Sequence, residues 1–390
     1  TNEYVFAETE EETAAVEDLQ RRVAEAVKNR REIPSPFVSS LGAYRPLLSF
    51  PWAQQLTKQP WKEDIKTVIE RQITEPLEER HLRKQIPCIT QIRDTISQSV
   101  REQYEENPYP RWITMDIHYK SRTLGAGLEG SPLFFDLGDY NPPERPRVLI
   151  AGCGTGQHVL HIASRFSSVH VLALDLSLSS LTYAQRKTKE LSFSNIEYVQ
   201  GDILELAKLG RWFDLITCTG VLHHLEDPLA GWQVLASLLH PGGLMNIGLY
   251  SKIARQHLIA GHSLISEKGY TTSPEDIRHC RQDIMAMAAN GNTEMEEISN
   301  RADFFSLSEC RDLLFHVQEA QFTLPQIEEV LGSLNLKFLG FEIGNHKVLR
   351  KFKDAHPDRS ALISLSQWHE FELENPDTFI GMYQFWCQKV

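Results

Sequence analysis

The chain has 390 residues, and at about 150 residues per domain that length allows two to three domains. Hydrophobic residues make up 41% and charged residues 24%, which excludes a disordered chain and leaves a core that needs no disulfide or metal staple. Lys+Arg is 40 against Asp+Glu 52, a formal net charge of −12, and this argues against nucleic acid as a partner because a phosphate backbone is held by clustered Lys and Arg.

Residues 1–97 read as a helical N-terminal region. The acidic run Glu8–Glu12 is a solvated helix start, and VEDLQRRVAEAVKNRR (16–31) repeats apolar positions at helical spacing. Pro34 and Pro36 interrupt it, and a Pro- and aromatic-rich connector runs from Tyr44 to Trp61. WKEDIKTVIERQI (61–73) returns to helix, and IPCITQIRDTISQSVREQYEE (86–106) reads as one long helix capped near Thr90. No internal repeat has a convincing period.

From Arg147 the pattern changes to strand–helix alternation. Short apolar runs at 147–152, 169–175, 196–202, 213–218 and 244–250 are each followed by a helical stretch, which predicts a parallel sheet covered on both faces. Asp227-Pro228 is an N-cap followed by proline at the first helical position, and HPGG (240–243) reads as a helix stop. Residues 252–320 are polar and helical, with a break at 290–292, and read as an insertion forming a lid over the carboxyl ends of the strands, where open α/β sheets bind ligands. A helix (323–334), a strand (336–343), a helix (361–372) and a last strand (378–389) complete the second region, 98–390.

Cys88, Cys153, Cys218, Cys280, Cys310 and Cys387 form no CxxC pair. That removes zinc-ribbon and thioredoxin-like motifs and points to a reducing, cytoplasmic setting. No stretch approaches 18 apolar residues, so no membrane partner is expected. The start, TNEYVFAETEEET, is not a signal peptide. It also lacks an initiator Met, so a piece of a longer protein is expected.

The chemistry-bearing motif is Gly152-Cys153-Gly154-Thr155-Gly156, set between a strand and a helix beginning near Gln157. The glycines permit a sharp turn and a close ligand approach, and the helix start offers free N–H groups. Asp175 ends the next strand, 19 residues after Gly156, with Leu176 beside it. An acid there accepts both hydroxyls of a ribose. A dinucleotide fingerprint requires Gly at 157, where this chain has Gln157.

The GxGxG spacing resembles the class I S-adenosylmethionine-dependent methyltransferases. Gly201-Asp202-Ile203 after the third strand, TGVLHHLEDP (219–228) after the fourth and HPGG before the fifth are similar to that family. The resemblance covers roughly residues 100–390. It implies a Rossmann-like seven-stranded α/β sheet with the last strand antiparallel, S-adenosylmethionine as cofactor and S-adenosylhomocysteine as product. It also implies that Asp202 and Ile203 lie at the adenine. YEENPYPRW (104–112), VLIAGCGTGQH (148–158), RDLLFHVQE (311–319) and MYQFW (382–386) further resemble a bacterial subgroup often fused behind tetratricopeptide repeats.

Two departures stand out. The family's acid two residues before the first glycine is Ile150 here, leaving Thr219 or backbone carbonyls to meet the methionyl amino group, and the His expected after Glu319 is Ala320. In many relatives an N-terminal helix and loop close over the cofactor, which makes Tyr104 and Arg111 cofactor contacts and Tyr109 a substrate contact. His223 and His224, just past the fourth strand, are candidate bases. His316 and Glu319, three apart on an expected helix, share one face and are candidate acceptor contacts. Such a pair also occurs in metal-binding bundles, but no second pair lies nearby and no metal is expected. The reading is a methyltransferase acting on a peptide, protein side chain or small metabolite. Its rivals are a catalytically impaired scaffold module and an NAD-dependent oxidoreductase.

Overall fold

Each apolar run after Arg147 forms a strand because its side chains are buried on both faces. The computed structural model describes residues 3–118, 120–129 and 141–390. Its strands are β1 (Arg147–Ala151), β2 (His170–Asp175), β3 (Ile196–Gln200), β4 (Phe213–Thr219), β5 (Leu239–Tyr250), β6 (Leu336–Phe341) and β7 (Met382–Lys389). They form one sheet in the order β3-β2-β1-β4-β5-β7-β6. β1 to β5 are parallel, and β7 runs antiparallel to both of its neighbours. This is the expected Rossmann-like methyltransferase sheet. The order reverses between β1 and β4, and the crevice at that switch point is where such sheets hold ligands.

Alternate residues of β1 serve opposite layers. Val148 and Ile150 pack with Val159, Ile162, Leu181 and Ala184 from helices Gln157–Arg165 and Leu178–Glu190. Leu149 and Ala151 belong to the core that contains Trp232, Ile327 and Trp368 from helices Pro228–Ser237, Leu324–Ser333 and Leu365–Glu374. Asp227 caps Pro228–Ser237 as expected, its Oδ1 accepting from the N–H groups of Leu229 (2.9 Å) and Ala230 (3.2 Å).

The chain divides into two compact units, one of Thr1–Gln85 with Ala260–Phe315 and one of Ile86–Ile259 with His316–Val390. The second unit holds the sheet. In the first, helix Glu10–Lys28 starts with a Thr9/Glu12 capping box, and Val23, Val38, Leu41, Leu56 and Ile73 form the core. Most of the stretch expected as a lid belongs to this first unit. Arg281 of helix Pro274–Ala289 is buried there, donating to the carbonyls of Phe304 (2.7 Å) and Val5 (3.1 Å).

Several boundaries differ from expectation, each for a local reason. The expected helix 86–106 is two pieces. Residues 87–89 add to the edge of β3, with Ile89 N–H donating to the Gln200 carbonyl and Gln200 N–H to that of Pro87, both at 2.9 Å. The helix itself is Thr95–Glu106, capped by Asp94 rather than near Thr90. HPGG does not end a helix. It lies inside β5, where the register jumps from Phe213↔Leu239 to Leu215↔Leu244, so the extra residues form a bulge. Helix Leu365–Glu374 starts later than expected because Ser364 caps it, and β7 starts at Met382 after a 3-10 turn at Pro376–Thr378. Helices Ser35–Tyr44 and His346–Ala355 were not expected, and Pro36 sits in the first turn of the former, where proline is tolerated. Among the described residues, no helix is long and apolar enough to cross a membrane.

Candidate functional site

The loop after β1 is fixed by backbone geometry. Gly152, Gly154 and Gly156 have φ of +74°, +51° and +84°, the left-handed region that side chains rarely adopt. Neighbours crowd all three: a Cβ on Gly152 falls 2.2 Å from Val221 Cγ2, on Gly154 2.9 Å from the Tyr109 carbonyl, and on Gly156 2.6 Å from Ala184 Cβ. The N–H groups of Gly152 and Cys153 both donate to the Leu174 carbonyl, at 2.8 and 2.9 Å.

Asp175 closes the loop from the end of β2. Its Oδ2 accepts from Gly154 N–H at 2.7 Å and its Oδ1 from Ser177 N–H at 2.9 Å. Burial pushes the carboxyl up to about 6, against the pull of the backbone N–H groups of Ser177, Gly154 and Leu176. A carboxylate accepts about four bonds, so three backbone donors leave Asp175 capacity for one more. The Leu176 carbonyl accepts from Gln200 Nε2 at 2.8 Å, and Gln157 is exposed at the helix start.

Asp202 is buried after β3. It caps the 3-10 segment Ile203–Leu209 through Leu204 N–H (3.0 Å), its own N–H donates to Thr90 Oγ (2.7 Å), and burial raises its carboxyl. The Ile203 side chain is in the core. Thr219, at the end of β4, donates to Asn246 Oδ1 at 3.2 Å.

Residues 104–113 are fastened along the loop. Ser177 Oγ donates to the Tyr104 carbonyl (3.0 Å), Thr155 Oγ to that of Pro110, and Trp112 Nε1 to that of Thr155 (3.1 Å). Lys187 Nζ donates to the Ile113 carbonyl at 2.9 Å. Glu105 receives Leu178 N–H (2.6 Å) and the Ser179 hydroxyl (2.7 Å), so it caps the start of helix Leu178–Glu190. Tyr109 brings its carbonyl to Gly154, and Arg111 is exposed.

The two adjacent histidines lie on a 3-10 turn, Leu222–His224, and both are buried. Val221, the residue pressed on Gly152, immediately precedes the turn. The His223 ring stacks on Tyr250, centroids 3.8 Å apart, and among the described residues neither of its buried ring nitrogens has a hydrogen-bond partner. His224 stacks on His316 at 3.6 Å, and its Nδ1 lies 2.7 Å from the Gln318 carbonyl. A carbonyl only accepts, so Nδ1 carries the hydrogen and Nε2 the lone pair. His316 is the opposite tautomer: Nδ1 accepts from Gln318 N–H at 3.1 Å, leaving Nε2–H to face Tyr104 Oη at 3.3 Å. Burial lowers both His223 and His224 well below the usual imidazole range. The Arg255 charge adds to this at His223, and the two neighbouring imidazoles add to it at His224.

His316 and Glu319 do not share a helix face. Helix Leu307–Leu314 ends before them, and the following backbone bonds outward. Ala320 N–H donates to the His223 carbonyl (2.8 Å), and Phe322 N–H to that of Tyr250 (2.9 Å). Glu319 is taken by Arg255, through Nε–Oε1 at 3.0 Å and Nη2–Oε2 at 2.5 Å. The Arg255 guanidinium also lies 3.7 Å over the Tyr250 ring. Ile150 is buried in the core, so no carboxyl replaces the family's acid at that position. Sequence reasoning missed Tyr250, Arg255 and Glu105. Arg255 and Glu319 are 64 residues apart, and no local motif announces such a pair.

Residues 148–243 match a family model described as a methyltransferase domain. The chain is 29% identical over 308 residues to an uncharacterized protein of Synechococcus sp., covering 75% of this chain and 72% of that one. It is 26% identical over 222 residues to a putative methyltransferase of Bacillus subtilis, covering 55% and 80%. In fold it is similar to PKMT2 from Rickettsia typhi, solved in complex with AdoHcy, with a TM-score of 0.50 and 21% identity over 65% of this chain and 51% of that one. This chain therefore spans about half the length of that solved protein.

Proposed function

We propose that this chain is a class I S-adenosylmethionine-dependent methyltransferase that moves the methyl group to a nitrogen or oxygen of a peptide or protein side chain or of a small metabolite. The observation that carries this reading is the contact of Gly152 with Val221. It sets the glycine loop of β1 directly against the turn that bears His223 and His224, across the switch point of the sheet.

The residues fit the cofactor. Asp175 retains acceptor capacity for a ribose hydroxyl, and helix Gln157–Arg165 presents its N-terminus beside the loop. Asp202 and Ile203 are assigned to the adenine end, and Gly154, Thr219 and Leu176 to the remaining contour. When bound, S-adenosylmethionine supplies an electrophilic methyl group and a neutral thioether leaving group. The protein supplies alignment and a dry setting. Residues 104–113 close over the loop, and His224 takes the acceptor's proton at Nε2, which the Gln318 carbonyl keeps unprotonated. Its lowered pKa holds it in the neutral, proton-accepting form at neutral pH. His316, Tyr109 and the Arg255–Glu319 pair line the acceptor side. The net charge of −12 supports a peptide or small molecule over nucleic acid, and six unpaired cysteines support a reducing, cytoplasmic setting.

Titration calorimetry with S-adenosylmethionine and S-adenosylhomocysteine tests the donor half; a folded protein that binds neither refutes it. Incubation with a labelled methyl donor and fractionated lysate tests the acceptor half. Label transfer is expected to fall at least about 100-fold in His224→Ala, within the range of general acid–base contributions, with cofactor affinity kept. Unchanged transfer in both His224→Ala and His223→Ala removes the histidines from the chemistry.

A further inference from the structure

Glu372 is a fully buried acid that the proposed chemistry does not use. Its carboxyl meets hydroxyls: Oε1 accepts from Ser251 Oγ at 2.7 Å and from Tyr383 Oη at 2.8 Å, and Oε2 from Tyr383 Oη at 2.8 Å. Among the described residues no cation pairs with it. A buried carboxyl is a costly way to fill a core, where an apolar side chain of similar volume serves stability as well or better. A role in fixing geometry accounts for it better.

What Glu372 fixes is Ser251, the first residue after β5. The Ser251 hydroxyl accepts from Ala254 N–H at 3.1 Å, so its single proton is free to point at Glu372. Its backbone is committed too: Ser251 N–H donates to the Gly381 carbonyl at 2.9 Å, and its carbonyl accepts from Arg255 N–H at 3.2 Å. Ser251 therefore opens the turn that lays Arg255 over the Tyr250 ring and against Glu319. His223 stacks on that same ring.

We propose that Glu372 is a positioning residue for the acceptor side, acting through Ser251 to hold Arg255 over Tyr250. The role assigned to that surface rests on the methyl-transfer reading above; the linkage from Glu372 to Arg255 does not. The test reads the Arg255 Nε–H resonance in the 390-residue chain, assigned by its loss in Arg255→Lys. The Tyr250 ring shifts that signal and the bond to Glu319 protects it. In Glu372→Met and in Ser251→Ala, the ring-induced shift is expected to vanish and exchange with water to quicken about tenfold, the equivalent of one hydrogen bond. Glu372→Gln, which keeps an acceptor oxygen for Ser251, is expected to restore both. Calorimetry with S-adenosylmethionine alone should give the same affinity in all three. A wild-type Arg255 signal in folded Glu372→Met or Ser251→Ala overturns the proposal. Absence of cofactor binding in the wild type sinks the enzyme reading instead and leaves the linkage standing.

Discussion

Alanine at position 152 places a methyl carbon 2.2 Å from Val221 Cγ2, 2.7 Å from Cγ1 and 3.0 Å from Cβ. Two costs follow, and they are separable. A left-handed backbone at φ +74° costs an L-residue about 1–2 kcal/mol wherever its neighbours stand. Overpacking against Val221 costs a further 1–3 kcal/mol or so. Gly152→Ala alone should therefore lower stability by roughly 2–5 kcal/mol. In a Val221→Ala background both γ carbons are gone and the nearest atom is the residual Cβ at 3.0 Å, so the same substitution should cost only the backbone part. Urea denaturation of the four proteins of this cycle, followed by tryptophan fluorescence, gives a coupling energy expected at about 1–3 kcal/mol. The variant that folds should also bind cofactor more weakly, because relief of the clash moves Val221 and the turn behind it. Additive effects, with no coupling, would show that the loop and the histidine turn are not pressed together and would remove the contact on which the functional reading rests.

The Asp175 carboxyl gives a pH prediction. Its folded pKa of about 6 exceeds the unfolded value near 3.9, so ionisation costs stability in the folded state. The cost is absent below about pH 4 and complete above about pH 6. Melting across that window should show Asp175→Asn gaining on the wild type, by about 3 kcal/mol, as pH rises; a difference flat with pH refutes it. The Arg255–Glu319 pair has only 8% and 11% side-chain exposure. Glu319→Gln should therefore cost about 3–5 kcal/mol by leaving an unpaired buried charge, and Arg255→Met/Glu319→Leu should cost less. Equal costs in denaturant would count against a buried ion pair.

Local signals carried far in this sequence, and the failures share a cause. The five parallel strands, the glycine loop and Asp175 are legible because each requirement is met within a few residues: an apolar run, a positive φ, an acid at a strand end. The Asp227 cap is legible for the same reason. The segment 316–320 is misread as helix because its backbone bonds to a distant partner, Ala320 N–H donating to the His223 carbonyl. HPGG is misread because the bulge that absorbs it depends on the register of β4. Residues 86–90 are misread because the exposed edge of β3 recruits them. Each is a case of tertiary pairing overriding local preference.

The histidines show where that limit falls for function. A sequence places His223 and His224 past the fourth strand but cannot choose between them, since adjacent positions carry the same motif. The choice comes from what each ring nitrogen meets. The Gln318 carbonyl, 94 residues away, fixes the hydrogen of His224 on Nδ1 and so leaves Nε2 as the proton acceptor. The same residue's N–H fixes His316 in the opposite tautomer. The backbone of one residue thus sets the proton state of two stacked rings, its N–H donating to His316 and its carbonyl accepting from His224. Gln318 acts through its backbone alone, so any side chain there that leaves the 316–320 path intact preserves both tautomers. The determinant of the proposed base is therefore carried by the path of the chain past His224.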